Sequence, residues 1–403
     1  MTHLINKNGK KTAVINVFID PQWGFTDPSI PSQQGGSLYV PGGEGAAAGM
    51  GKIITETRNG IFVIGQDYHP SNHISFAPNH PGVMEYRIAK FKDFLTAHGQ
   101  PIPEDAATLY EQAQQPVHFF HGYDQPPVDF PFEELVLNED GNIIGLKEAD
   151  GRIRKVDIAT ESGAAPSKDD RGRVTAVLDA YYEKDFDTMR SEGILLHTQT
   201  LWTRHCEQGK QSSLYPESMN LPQGLRDKLE GDLKSDVVSY YDADTGNQFH
   251  VVRKGTHPEV DSYGIGVEND GETLTPAWKL FGELAKSLKK EGAEQVEFNV
   301  GGLATNFCVE FSVNNIADFL AGHFKMKGME TLLNFIPDIS HAIPIPGDAD
   351  VPFSANGAYA RMQRSRGVGQ ISGPEIIAQQ KPEASITGNL HAATSAQHRI
   401  IGH

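Results

Sequence analysis

Cys308 stands in the stretch VEFNVGGLATNFCVEF. An apolar run there enters Gly301-Gly302, turns, and opens a helix whose first turn carries the thiol. At a helix N-terminus the positive end of the dipole favours a thiolate, the nucleophilic form. The same turn presents backbone N–H groups with no partner inside the helix, which suits an oxyanion. Asp20 directly follows the apolar run Val14–Ile19, and Lys254 closes the run Phe249–Arg253 in VVRKGTHPEVDSY. A carboxylate can take and return a proton, and a lysine beside it can hold that carboxylate and a thiolate in register. Asp67, His69 and His73 follow the run Ile61–Gln66 in QDYHPSNHISF. One carboxylate and two imidazoles at i, i+2 and i+6 suit a borderline divalent ion such as zinc or iron. His205, in LWTRHCEQG, is a candidate distant ligand. Taken singly, each also has an ordinary reading: a small core thiol, a turn aspartate, surface histidines, a solvated lysine.

These residues can meet only if the elements before them share one edge. Val14–Ile19, Ile61–Gln66, Phe249–Arg253, Val296–Val300 and Thr331–Ile336 are near-continuous apolar or β-branched runs, the pattern of strands buried on both faces. Between them, TPAWKLFGELAKSLKKEG reads as a helix, with Thr275 as N-cap, Pro276 at the first position and Gly292 past the end. Ala277, Leu280, Phe281, Leu284 and Leu288 form its apolar stripe. A second helix is expected from near Phe307 to about Gly322. The alternation predicts an α/β fold, doubly wound, with a mostly parallel sheet and helices on both faces. In such a sheet, residues just past the strand ends lie on the functional rim.

Residues 86–193 read differently. Asp140-Gly141 and Asp150-Gly151 separate short strand-like runs, which predicts a small antiparallel meander, followed by a helix over 174–190. The expected organisation is a discontinuous core over 1–85 and 194–375, an inserted α+β subdomain over 86–193, and a polar, extended tail over 376–403. The insertion joins the histidine motif to His205, so it reads as a subdomain, a lid or an oligomer surface.

The 403 residues are ample for a buried core. Lys and Arg total 35 against 52 Asp and Glu, a net charge of −17 that argues against nucleic acid and anionic membranes as partners. No apolar run approaches the roughly 18 residues of a membrane span, and the N-terminus lacks a signal-peptide pattern. Two cysteines exclude a disulfide scaffold and fit a reducing compartment, hence a cytoplasmic location.

Taken in order, these motifs resemble the nicotinamidase branch of the isochorismatase-like cysteine hydrolases. DPQWGF with GGSLYVPGG, DYHPSNHISF, LWTRHCEQG, RKGTHPEVDSYG and GLATNFCV match across about residues 12–82 and 194–375. The resemblance implies an isochorismatase-like fold and hydrolysis of the linear amide of nicotinamide to nicotinate and ammonia, a step of NAD salvage. It implies Asp20, Lys254 and Cys308 as catalytic residues, with Cys308 forming a thioester. It implies an oxyanion hole from the N–H groups of Ala304 and Cys308, shaped by a cis peptide at Leu303-Ala304. One divalent ion is implied, zinc or else iron or manganese, on Asp67, His69 and His205, with His73 as a fourth ligand or a supporting partner. The ion would also bind the ring nitrogen of the substrate, with Phe25, Trp202 and Tyr263 around the ring. Cys206 is expected to be neither a ligand nor a disulfide partner.

Three departures from the family pattern bear on the pocket: Asn306 for an aspartate, Tyr263-Gly264-Ile265 in place of a Tyr-Ser-Ala-Phe run, and Thr203-Arg204 before His205. Competing expectations are an amidase of the same superfamily acting on a ureido or carbamoyl substrate, and an inactive binding protein on the same fold. A homo-oligomer is an open expectation.

Overall fold

The computed structural model describes residues 4–79, 202–343 apart from 259 and 270–272, and 355–380, with short stretches between 88 and 155. An eight-stranded sheet forms its centre, in the order β11-β10-β9-β2-β3-β8-β7, with β1 beside the first half of β2. The strands are β1 Leu4–Lys7, β2 Lys10–Ile19, β3 Ile61–Asp67, β7 Val237–Tyr241, β8 Gln248–Lys254, β9 Gln295–Gly302, β10 Glu330–Phe335 and β11 Gly369–Gln370. β4 Phe132–Leu137, β5 Ile143–Glu148 and β6 Ile153–Lys155 make a separate antiparallel meander, as the two Asp-Gly turns predict. The expected helix over 174–190 lies outside the described residues.

Contacts among β11, β10, β9, β2, β3 and β8 are all parallel, and only β1 and β7 pair antiparallel. All five predicted strands are present; β2 begins four residues before the expected Val14, and the other four lie within two residues of the expected bounds. The chain builds outward from β2 to β3 and β8 on one side, then returns to β9, β10 and β11 on the other. The reversal falls between β2 and β9, where a doubly wound sheet opens a crevice at its C-terminal edge.

Helices cover both faces. They are α1 Gly43–Glu56, α2 Gln223–Gly231, α3 Ala277–Glu291, α4, α5 Ala355–Arg366 and α6 Gly373–Gln380. α4 is one continuous helix made of Thr305–Val309, Glu310–Asn315, Ile316–Leu320 and Ala321–Lys325, the first and third being π turns. It begins two residues before and ends three residues after the expected bounds. α3 and α4 pack on one face, where Phe281 stacks on Phe298 at 5.9 Å and Phe324 meets Phe298 edge-on at 5.2 Å. Each such ring, fully buried, contributes about 1.5–3 kcal/mol. Gly301, at odd spacing from Phe298, faces the other way, and Ile339 lies over both it and Gly49 of α1.

α3 starts one residue later than the sequence suggests, at Ala277. Thr275 still acts near its end: its hydroxyl accepts from Ala277 N at 3.3 Å and donates to the Ile265 carbonyl. Gly292 closes the helix at φ 91°. Leu280 is only half-buried, so the core stripe runs through Ala277, Phe281, Leu284, Ala285 and Leu288. α6 overlaps the start of the expected tail: Ile376, Ile377 and Gln380 are buried, so ordered packing continues past 375. No described helix is long and apolar enough to cross a membrane.

Candidate functional site

The order β9-β2-β3-β8 sets four side chains along one edge. Asp20 follows β2, Asp67 ends β3, Lys254 ends β8, and Cys308 lies in the first turn of α4 after β9. The register pairs Ile19 with Gly302 and Asp67 with Lys254. Asp20 is fully buried at φ 50°, a left-handed conformation uncommon for aspartate, which turns the chain sharply off the strand.

Lys254 is the hub. Its Nζ lies 2.9 Å from Asp20 Oδ2, 2.5 Å from Asp67 Oδ1, 2.8 Å from the Ser262 carbonyl and 3.8 Å from Cys308 Sγ. Burial disfavours its charge, but the two carboxylates hold the ammonium well above the ordinary lysine range. Burial pushes the Asp20 carboxyl up to about 7 against the pull of Lys254. Burial also acts on Asp67, yet Lys254, His69 and His205 together hold it well below the usual carboxylate range.

Burial pushes the Cys308 thiol well above its ordinary value, with Lys254 only partly offsetting it. The helix position by itself favours a thiolate, but burial acts in the opposite direction and is the largest influence on this thiol. The sulfur is a thiol that needs a base, and Asp20 is a neighbour whose raised affinity suits that task.

Asp67, His69 and His205 come together, with their ligand atoms within 4.8 Å of one another. His69 Nδ1 lies 3.0 Å from the Gly255 carbonyl and His205 Nδ1 lies 2.7 Å from the Thr203 carbonyl. A carbonyl only accepts, so both Nδ1 atoms carry protons, and in the neutral rings both Nε2 lone pairs point inward. The Nε2 atoms lie 3.1 Å and 3.5 Å from Asp67 Oδ2. Lone pairs facing a carboxylate oxygen call for a cation between them, a proton or a metal. The donor set therefore fits a borderline divalent ion.

His73 is adjacent, its ring 4.1 Å from that of His69. Its Nδ1 lies 2.8 Å from Ser75 Oγ and its Nε2 3.3 Å from the Val260 carbonyl. Both nitrogens are thus engaged, which favours the supporting role over the ligand role. His69, His73 and Asp261 form a second, overlapping group of ligand-type atoms, and Asp261 is a residue that the motif reading missed. It sits seven residues after Lys254, in a loop that also supplies carbonyls to His69, His73 and Lys254.

Between these groups lies a pocket of about 320 Å³, including its mouth. Phe25, Trp202 and Tyr263 line it, together with Ala304 and Cys308. Leu38, Phe307 and Ile343 complete the wall. Phe307 packs edge-on to Trp202 at 5.1 Å and to Tyr263 at 5.6 Å. It immediately precedes Cys308, so its place in the motif was the signal that could have found it. The Leu303-Ala304 peptide is cis. Cys206 is a free, buried thiol, and neither ligand-type group includes it.

The departures have local explanations. A Cβ at Gly264 would lie 2.0 Å from Asn315 Oδ1, which accepts the Gly266 and Val267 N–H groups at 2.9 Å. The loop carrying Tyr263 is therefore bound to α4, and a serine does not fit there. Arg204 donates to the Ser71 carbonyl at 2.9 Å and to Asn79 Oδ1 at 3.0 Å, tying the His205 segment to the His69 segment.

Two further residues position the site from behind. Gln22 grips the backbone of Asp67, donating to its carbonyl at 2.7 Å and accepting its N–H at 2.7 Å. Arg253, fully buried, donates to Gln66 Oε1 and to the Ser235 and Asp232 carbonyls, and its guanidinium lies 4.3 Å from the Tyr68 ring centre. Neither stood out in the sequence, because their partners, mostly backbone atoms, are brought close only by folding.

Over 174 residues, 41% of this chain and 67% of the relative, the sequence is 28% identical to a nicotinamidase of Acinetobacter baylyi. By sequence, this chain is similar to a nicotinamidase. No protein-family model matches it. Among solved structures, an Acinetobacter baumannii nicotinamidase and pyrazinamidase aligns over 92% of this chain and 100% of its own, at 20% identity and TM-score 0.42. A yeast nicotinamidase bound to nicotinaldehyde aligns over 89% and 99%, at 14% and 0.40. A Pyrococcus horikoshii pyrazinamidase in complex with zinc aligns over 89% and 98%, at 15% and 0.36.

Proposed function

We propose that this chain is a metal-dependent nicotinamidase, hydrolysing nicotinamide to nicotinate and ammonia, and so acts in NAD salvage. The observation that carries the reading is the ion cluster at the sheet edge. One buried ammonium joins Asp20, beside the thiol, to Asp67, beside two inward-facing imidazoles. An aromatic pocket spans the two ends.

Asp20 takes the proton from Cys308, and the sulfur attacks the amide carbon. The N–H groups of Ala304 and Cys308 receive the oxyanion. Asp20 returns its proton to the amide nitrogen as the C–N bond breaks, and ammonia leaves a thioester on Cys308. Asp20 then takes a proton from water as its oxygen attacks the thioester, and returns that proton to the sulfur as the C–S bond breaks, so that nicotinic acid leaves and ionises to nicotinate. Lys254 keeps its charge throughout and holds Asp20 against Asp67. A divalent ion on Asp67, His69 and His205 would supply a Lewis acid for the ring nitrogen, favouring pyridine amides over other planar amides. Phe25, Trp202 and Tyr263 enclose the ring, with His73 and Asp261 around the imidazoles.

The donor set on Asp67 speaks against a ureido or carbamoyl substrate, which needs no such set. The complete Asp20, Lys254 and Cys308 cluster speaks against an inactive binding protein. The test is ammonia release from nicotinamide, with non-aromatic amides as comparison and Cys308→Ala as control. Release from nicotinamide that the substitution abolishes supports the reading. Turnover that survives the substitution, or a preference for the non-aromatic amides, overturns it.

A further inference from the structure

The strap that follows β10 leaves the sheet, passes through a turn at Pro337–Ile339 and comes back over the start of α4. His341 bridges in parallel to Leu303, and the His341 carbonyl accepts the Thr305 N–H at 2.8 Å. Two residues on, Asn306 closes a paired set of hydrogen bonds with the backbone of Ile343. Its Nδ2 donates to the Ile343 carbonyl at 3.0 Å, and its Oδ1 accepts the Ile343 N–H at 3.1 Å. Asn306 is fully buried, and the Ile343 side chain forms part of the pocket wall with Ala304, Phe307 and Cys308.

We propose that Ile343 is a specificity-determining residue that limits the size of the amide admitted, and that Asn306 is the positioning residue that holds it in place. The inference rests on the amide-hydrolase reading above and adds to it a restriction to unsubstituted rings. The physical reason is the match of donors and acceptors. A carboxamide can donate to a carbonyl and accept from an N–H at once, whereas a carboxylate can only accept. An aspartate at 306 would set an anionic oxygen against the Ile343 carbonyl inside a buried site, which costs far more than a lost neutral hydrogen bond. The strap would then move off α4, and the branched side chain with it. A well-packed apolar wall discriminates against one added methylene by about 10–200-fold, and Ile343 is the wall residue that the chain anchors by such a clasp.

The test measures kcat/KM for nicotinamide and for ring-methylated nicotinamides, and takes their ratio. Ile343→Ala should shift the ratio toward at least one methylated substrate by about tenfold. Asn306→Asp should shift it in the same direction, with the change in KM exceeding that in kcat. The double variant should show little beyond Ile343→Ala, because Asn306 acts through Ile343. An unchanged ratio in Ile343→Ala overturns the proposal, as does an equal effect of Asn306→Asp with and without Ile343. If Asn306→Asp does not fold, the Ile343→Ala ratio decides alone. Wild-type protein that releases no ammonia from nicotinamide would sink the underlying reading instead, which keeps the two failures apart.

Discussion

Lys254 Nζ lies 2.5 Å from Asp67 Oδ1, so the Asp20 side of the site and the metal-competent group form one ion cluster. The same ammonium contacts Asp20 at 2.9 Å. A charge change at either end is therefore felt at the other across a single buried cation, in surroundings where Coulomb interactions are little screened.

The first consequence concerns pH. The raised carboxyl of Asp20, at about 7, must be ionised to accept the Cys308 proton. Above that value it is a carboxylate and below it a neutral acid, so kcat/KM should rise with pH by about tenfold per unit until it levels off. A divalent cation beside Asp67 would favour the carboxylate and move the midpoint down. A pH–rate profile of the metal-loaded protein checks this, and a flat profile across the midpoint would remove Asp20 from the role.

Metal retention separates the histidines. His69→Ala and His205→Ala each remove an inward lone pair and should leave no stoichiometric metal after dialysis. His73 has both nitrogens engaged by Ser75 and Val260. His73→Ala should therefore weaken binding by no more than the roughly 10–100-fold typical of a group that supports a ligand. Metal analysis of the three variants reads this directly, and equal losses would make His73 a ligand.

Gly302, the last residue of β9, pairs in register with Ile19, the residue before Asp20. Its φ is 141°, and a Cβ there would lie 2.1 Å from the Ile19 carbonyl oxygen. Gly302→Ala should destabilise the fold by more than about 1 kcal/mol, displace Asp20 and lower activity. Urea unfolding and ammonia release measured together test it, and unchanged stability would contradict the close approach.

Arg253 carries its buried charge on carbonyl oxygens and on Gln66. Arg253→Met keeps much of the volume but leaves the Ser235 and Asp232 carbonyls without this donor. A loss of about 1–3 kcal/mol in unfolding free energy is expected, with weaker metal retention because Gln66 and Tyr68 flank Asp67. A stable variant with full metal content would show that Arg253 positions nothing.

Asp20, Asp67 and Lys254 were legible in the sequence because each sits at or just past the end of a buried strand, and Cys308 because it opens the helix after one; buried strands announce themselves as continuous β-branched and aromatic runs. α1 was not legible. Its stretch GEGAAAGMGKIITE is glycine-rich and reads as a poor helix, yet Gly49 and Gly51 are where Ile339 and the Ser218 carbonyl come against the helix backbone. β7 escaped notice for a similar reason: it is short, half-exposed and pairs antiparallel at an edge.

Residue type and order alone established a parallel α/β sheet and the side chains available at its rim, since strand burial and side-chain chemistry are properties of local sequence. Folding decided the rest. It put Lys254 between two carboxylates, turned two imidazole lone pairs toward Asp67 and left His73 engaged elsewhere. It also buried the Cys308 thiol, which raises its hold on the proton, and clamped Ile343 with Asn306. Each of those outcomes depends on distance, burial and the direction of a hydrogen bond between segments far apart in the chain, and no local pattern carries that information.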